Sequence, residues 1–89
     1  MQNIKNFTFN GKRFTFVGET KRSRVGFSHI ATLYENDVFV GIGRAHYTNR
    51  TWEAYPFQTV FMEAVEKAYK GRQLDAPTAH TLISALRAA

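Results

Sequence analysis

The sequence contains no cysteine. That excludes disulfides, thiolate metal ligands and a thiol nucleophile, so stability has to come from packing. Proline is nearly absent as well, with only Pro56 and Pro77, which leaves long stretches free to form uninterrupted strands and helices. No run approaches the ~20 apolar residues of a membrane span, and the first residues, MQNIKNFTFN, lack the apolar segment of a signal peptide. A soluble cytoplasmic protein with no membrane partner is expected. Acidic residues are scarce, seven against 12 Lys and Arg, for a net charge of +5. Such a surface attracts anions and argues against an acidic mimic of DNA.

The few carboxylates, among them Glu63 and Glu66 on one exposed helical side, form no pair suited to acid–base chemistry. His29, His46 and His80 are the only imidazoles. The register expected below sets His29 and His46 on one side of a hairpin near Arg44, without a third ligand, so no metal site is expected. Gly41-Ile42-Gly43 lacks the third glycine and the strand-to-helix context of a phosphate loop, and reads instead as a place where another element packs closely on a strand. No catalytic residue and no cofactor emerge. The chain reads as non-enzymatic.

What is abundant is aromatic and patterned. At 89 residues with eight Phe, the chain suits a single domain, residues 1–89, built on one core. Phe7, Phe9, Phe14 and Phe16 alternate around Asn10-Gly11, the pair that best accepts the positive φ angles of a two-residue hairpin turn. With that turn, Phe7 faces Phe14 and Phe9 faces Lys12, and the four rings share one side. Asn6, Thr8, Arg13 and Thr15 take the other, solvated side.

Gly18 to Arg24 (GETKRSR) is polar and reads as a loop leading to a second alternating segment, Val25 to Tyr34. Asn36-Asp37 offers a second turn, which pairs Leu33 with Val40 and Ala31 with Ile42 and places Ala31, Leu33, Val38, Val40 and Ile42 on one side. Tyr34, Phe39, Gly41 and Gly43 lie opposite. A slip of one residue exchanges these faces, and Asp37 commits the turn less firmly than a glycine would.

From Phe57 the period becomes 3.6: Phe57, Val60, Phe61, Ala64, Val65 and Ala68 form one helical stripe. Gly71 is expected to end this helix in a left-handed cap. Asp75 is expected to cap a second helix with Pro77 in its first turn and Ala79, Leu82, Ile83 and Leu86 on its apolar side. The expected fold class is α+β: a four-stranded antiparallel sheet of two hairpins followed by two helices packed on one face, β-β-β-β-α-α. Closure into a partial barrel is the alternative.

Two sets of residues stand out as candidate sites. Lys12, Arg13, Lys21, Arg22 and Arg24 carry the densest positive charge and suit a phosphate backbone, DNA or RNA. Arg44, Tyr47, Asn49, Arg50, Trp52 and Tyr55 fall in the segment RAHYTNRTWEAYPF, where the period changes, and combine aromatic anchors with charge in the manner of a binding hot spot. The other reading of this segment is structural, with Trp52 as a lid on the core and Asn49 and Arg50 satisfying backbone groups and Glu53 at the corner. The helix behind this segment is expected to start either from a cap at Thr51 or at Pro56 as its first residue.

The run Asn49-Arg50-Thr51-Trp52-Glu53, continued by Tyr55 and Phe57, resembles an N-R-T-W-E-x-Y-x-F motif of small proteins encoded by phages, plasmids and integrative elements of bacteria. The resemblance implies a mobile-element setting in the cytoplasm of a bacterial host. It also implies a role as an inhibitor of host defence, anti-CRISPR proteins included, whose partner is a host protein or nucleoprotein such as a Cas nuclease. Pro56 departs from the polar residue such a motif carries there. A looser likeness links the strand ending Val40-Gly41-Ile42-Gly43 and its following helix to the second half of a double-stranded RNA-binding domain, without that domain's lysine cluster. Three functions are therefore expected as alternatives: steric inhibition of a host nucleoprotein, direct DNA or RNA binding, and a structural module that forms a homodimer.

Overall fold

A computed structural model describes residues 2–48 and 57–88. Four strands run in chain order, β1 (Gln2–Phe9), β2 (Lys12–Ser23), β3 (Gly26–Glu35) and β4 (Val38–Tyr47), and pair antiparallel as one β1-β2-β3-β4 sheet. Helices α1 (Gln58–Lys70) and α2 (Ala76–Ala88) follow. This is the expected α+β order, an open sheet with helices on one face.

The first hairpin forms as its sequence dictates. Asn10 and Gly11 have φ of 52° and 73°, and Phe7 pairs with Phe14 and Phe9 with Lys12. On the resulting apolar side, Phe9 stacks on Phe14 at 4.9 Å and Phe7 meets Phe16 edge-on at 5.8 Å between ring centres. Phe14 and Phe16 are fully buried, each such burial contributing about 2 kcal/mol.

Beyond Phe16 the expected loop does not exist. Residues 18–23 continue β2 and pair with β3 as far as Ser23 opposite Gly26, and the turn is Arg24-Val25. Pairing with β3 outweighs the polar composition, because Thr20, Lys21 and Ser23 need no burial to complete a ladder.

The second hairpin also corrects an expectation. Asn36 and Asp37 form its turn, with φ of 49° and 69°, and Tyr34 pairs with Phe39 as anticipated. A bulge then shifts the register, so Leu33 opposes Gly41 and Ala31 opposes Gly43 rather than Val40 and Ile42. Val40 is the extra residue and is buried with Gly41, whereas Ile42 turns to the other side with Thr32.

The reason lies in α1. A Cβ on Gly41 would come within 2.8 Å of Ala68 Cβ, and one on Gly43 within 2.8 Å of the Ala64 backbone nitrogen. Only glycine lets the helix backbone rest directly on β4. The expected stripe then seats on the sheet: Val60, Phe61, Ala64, Val65 and Ala68 are all buried, with the Phe61 ring 5.2 Å from that of Phe16.

Gly71 ends α1 at φ −79°, and the left-handed position is taken by Arg72 at φ 61°. Arg72 N–H donates to Tyr69 O and Gln73 N–H to Ala68 O, which closes the last turn of the helix. Asp75 caps α2 as expected, its Oδ1 accepting from Thr78 N–H at 2.8 Å. Ala79, Leu82 and Leu86 complete the core, and Gln58 Nε2 donates to Leu86 O at 2.7 Å, tying the start of α1 to the end of α2. The expected starts of α1 at Thr51 or Pro56 lie outside the described residues.

Candidate nucleic-acid interface

Strand alternation and the observed register fix what the uncovered face of the sheet carries. Across all four strands runs the row Ile4, Val17, Thr32 and Ile42; on one side of it lies the row Asn6, Thr15, Tyr34 and Phe39. On the other side come Glu19, Ile30 and Arg44, then Lys21, Ser28 and His46. Ile4 is 53% exposed and Phe39 54%, and Val17, Ile30, Thr32, Tyr34 and Ile42 are half-buried. The helices cover the opposite face.

Charge is divided between the two ends of the sheet, with Lys12 and Glu35 on the helix side and Arg13 on the uncovered face. At the turn end, Lys12 Nζ lies 3.5 Å from Glu35, and Arg13 pairs with Asp37. Arg13 is held further by its backbone, whose N–H donates to Asn36 Oδ1 and whose carbonyl accepts from Asn36 N–H. These two basic residues therefore fasten the second turn to β2. Among the described residues these are the only ion pairs given by Lys or Arg.

At the far end, Lys21, Arg22 and Arg24 occupy the tip of the β2–β3 hairpin, and the register brings Arg44 and His46 beside them on β4. The twelve-residue length of β2 sets Lys12 and Lys21 ~30 Å apart. The five basic residues expected to form one phosphate-tracking cluster are thus two groups, and the second gains members from another strand. Arg22 places its guanidinium 5.2 Å from the Phe27 ring centre, on the helix side of the sheet. Lys21, Arg24, Arg44 and His46 are exposed.

Arg44, His46, Ser28, Ile30 and Ala45 line a shallow depression of about 410 Å³. His46 Nδ1 and Ser28 Oγ share a hydrogen bond of 3.0 Å, which orients the ring and leaves Nε2 as its second polar atom. A guanidinium, an imidazole and a hydroxyl around one hollow, with Lys21 next to Ser28, can receive a phosphate group.

The bulge separates the two histidines that were expected together. His29 faces the helices, is buried and bonds Thr20 through Nδ1 at 2.9 Å, with the Phe57 ring 4.6 Å and the Tyr47 ring 5.3 Å away. It is a core residue, and His46 stands on the other side of the sheet. Among the described residues no three His, Asp or Glu side chains converge as metal ligands, and no described helix is long and apolar enough to cross a membrane.

Of the expected aromatic site, Arg44 is on the uncovered face and Tyr47 on the helix side, opposite Phe27. Asn49, Arg50, Trp52 and Tyr55 lie outside the described residues. Sequence patterning does not reveal that Arg44 and His46 lie on the same side as Lys21, nor that Ile4, Val17, Thr32 and Ile42 form one row. Its available signal was the β-branched content of residues at open-face positions of consecutive strands, which a purely solvated face does not require.

No family model, curated protein or solved structure matches this chain.

Proposed function

We propose that the chain is a non-enzymatic binding protein that occupies the nucleic-acid-bearing surface of a nucleoprotein and acts by steric exclusion. The observation that carries this reading is the division of charge along the sheet. Lys12 and Arg13 are engaged by Glu35 and Asp37, whereas Lys21, Arg24, Arg44 and His46 gather, exposed, at the other end. A polyanion is the partner that such a cluster attracts, and its approach is steered by the net charge of the chain. The resemblance of the Asn49–Phe57 run to mobile-element proteins supplies the biological setting, with a guide-loaded Cas nuclease as the nucleoprotein to test first.

The test is a cleavage assay in which such a nuclease is preincubated with the chain. Inhibition that disappears on Lys21→Glu/Arg44→Glu, with circular dichroism unchanged, supports the reading. A chain that neither binds nor slows the loaded nuclease removes the anti-defence role. Direct binding to DNA or RNA is the second reading, favoured by the hollow between Arg44, His46 and Ser28, and it predicts affinity for nucleic acid without any nuclease.

A further inference from the structure

We propose that the uncovered sheet face is a platform for a single nucleic-acid strand, with bases stacking on Phe39 and Tyr34 and phosphates held by Lys21, Arg44 and His46. The inference rests on the nucleic-acid reading above and specifies the form of the partner.

Tyr34 and Phe39 are direct cross-strand partners on this face, and Phe39 is more than half exposed at 54%. A duplex keeps its internal bases stacked on one another, so it presents phosphates and base edges but not base faces to these rings. An unpaired base offers its flat face. From Tyr34 along β3 to Ser28, beside the basic hollow, is ~20 Å, room for a few nucleotides. Val17, Thr32 and Ile42 lie between, an apolar floor interleaved with short polar groups that suits bases and sugars.

Charge selects the occupant. Among the described strand positions of this face Glu19 is the one carboxylate, against Lys21 and Arg44 with His46 alongside, while Arg13 is paired with Asp37 of the turn. A second copy of the chain laid on the same face would add like charge to like charge. A polyanion complements it. Stacking does not distinguish ribose from deoxyribose, so the shared chemistry of single strands is what the face recognises.

Fluorescence anisotropy of the full chain, at low salt, with a labelled 12-nucleotide DNA strand, its RNA counterpart and the same DNA strand annealed to its complement tests this. The expected result is at least tenfold tighter binding of a single strand than of the duplex. Phe39→Thr, which keeps a β-forming residue on an exposed site, is expected to weaken single-strand binding about five- to hundredfold and to leave duplex binding unchanged. Tyr34→Thr serves as the second variant, with folding of each followed by circular dichroism. Equal affinity for strand and duplex, insensitive to both substitutions, overturns the platform and leaves the basic end intact. A stable dimer dispersed by Phe39→Thr also overturns it, since a second copy then fills the face. Absence of any binding at low salt removes the nucleic-acid reading itself.

Discussion

Arg13 and Lys21 point to the same side of β2 from opposite ends, the first paired with Asp37 and the second beside Ser28 and the basic hollow. One strand therefore carries an arginine held by an ion pair and a lysine that the proposed function assigns to a phosphate. Removing Arg13 by Arg13→Gln should change nucleic-acid affinity less than twofold and cost at most about 1 kcal/mol of stability, as for other exposed pairs. Lys21→Gln should weaken binding and lower the slope of log affinity against log salt by about 0.7 to 0.9 for one lost phosphate contact. Salt titrations of the two variants, compared with chemical denaturation, separate these roles.

The seat of α1 on β4 depends on two missing side chains. Gly43→Ala places a methyl group within 3.0 Å of the Ala64 nitrogen and Glu63 Cβ, atoms that move only if the helix moves. The expected loss is about 1–3 kcal/mol, as for other overpacked sites, read as a lower denaturation midpoint with unchanged slope.

Arg72 holds a left-handed conformation at φ 61° without the freedom that glycine has there. Relief of that strain outweighs the added flexibility of the unfolded chain. Arg72→Gly should therefore stabilise the protein by about 0.5–1 kcal/mol, raising the melting temperature by several degrees. The neighbouring Gly71, at φ −79°, should gain nothing from the same backbone argument.

Asp75 ties stability to acid pH. Its hydrogen bonds from the Thr78 hydroxyl and backbone N–H hold its carboxyl below the usual aspartate range; desolvation opposes them, and the nearby Lys12 charge adds the weakest contribution in their favour. The folded pKa is lower than the unfolded one, so the stabilisation is complete above the unfolded value of about 4 and is lost as pH falls through the folded value. Melting curves recorded from pH 6 to pH 2 should show a smaller acid-induced decline for Asp75→Asn than for the native chain.

Local chemistry made much of this fold readable. Asn10-Gly11 fixed a register because both residues accept positive φ, and the stripe from Phe57 to Ala68 identified α1 because only one period brings those residues together. The strand through Lys21 to Ser23 was hidden, since a strand with two solvated faces shows no apolar alternation. The bulge at Val40 was hidden because it answers to a distant element: Gly41 and Gly43 face inward for the sake of α1, and nothing within the hairpin demands it. The candidate site was legible only in parts. Lys21, Arg22 and Arg24 are adjacent in sequence, but Arg44 and His46 join them through the β3–β4 register, and Ile4, Val17, Thr32 and Ile42 form a row only after three pairings are known. Asp37 shows the converse case, a residue that ranks below glycine in a turn yet is retained by its pairing with Arg13.

The most direct measurement is a nitrogen–proton correlation spectrum of the labelled chain during titration with a short single-stranded oligonucleotide. The amides of Lys21, Ser28, Arg44 and His46 are expected to shift first and furthest, together with Tyr34 and Phe39, while those of Lys12, Arg13 and the outer side of α2 stay in place. Shifts concentrated on the helices or at Lys12 and Arg13, with the Lys21–His46 end unmoved, would contradict this expectation.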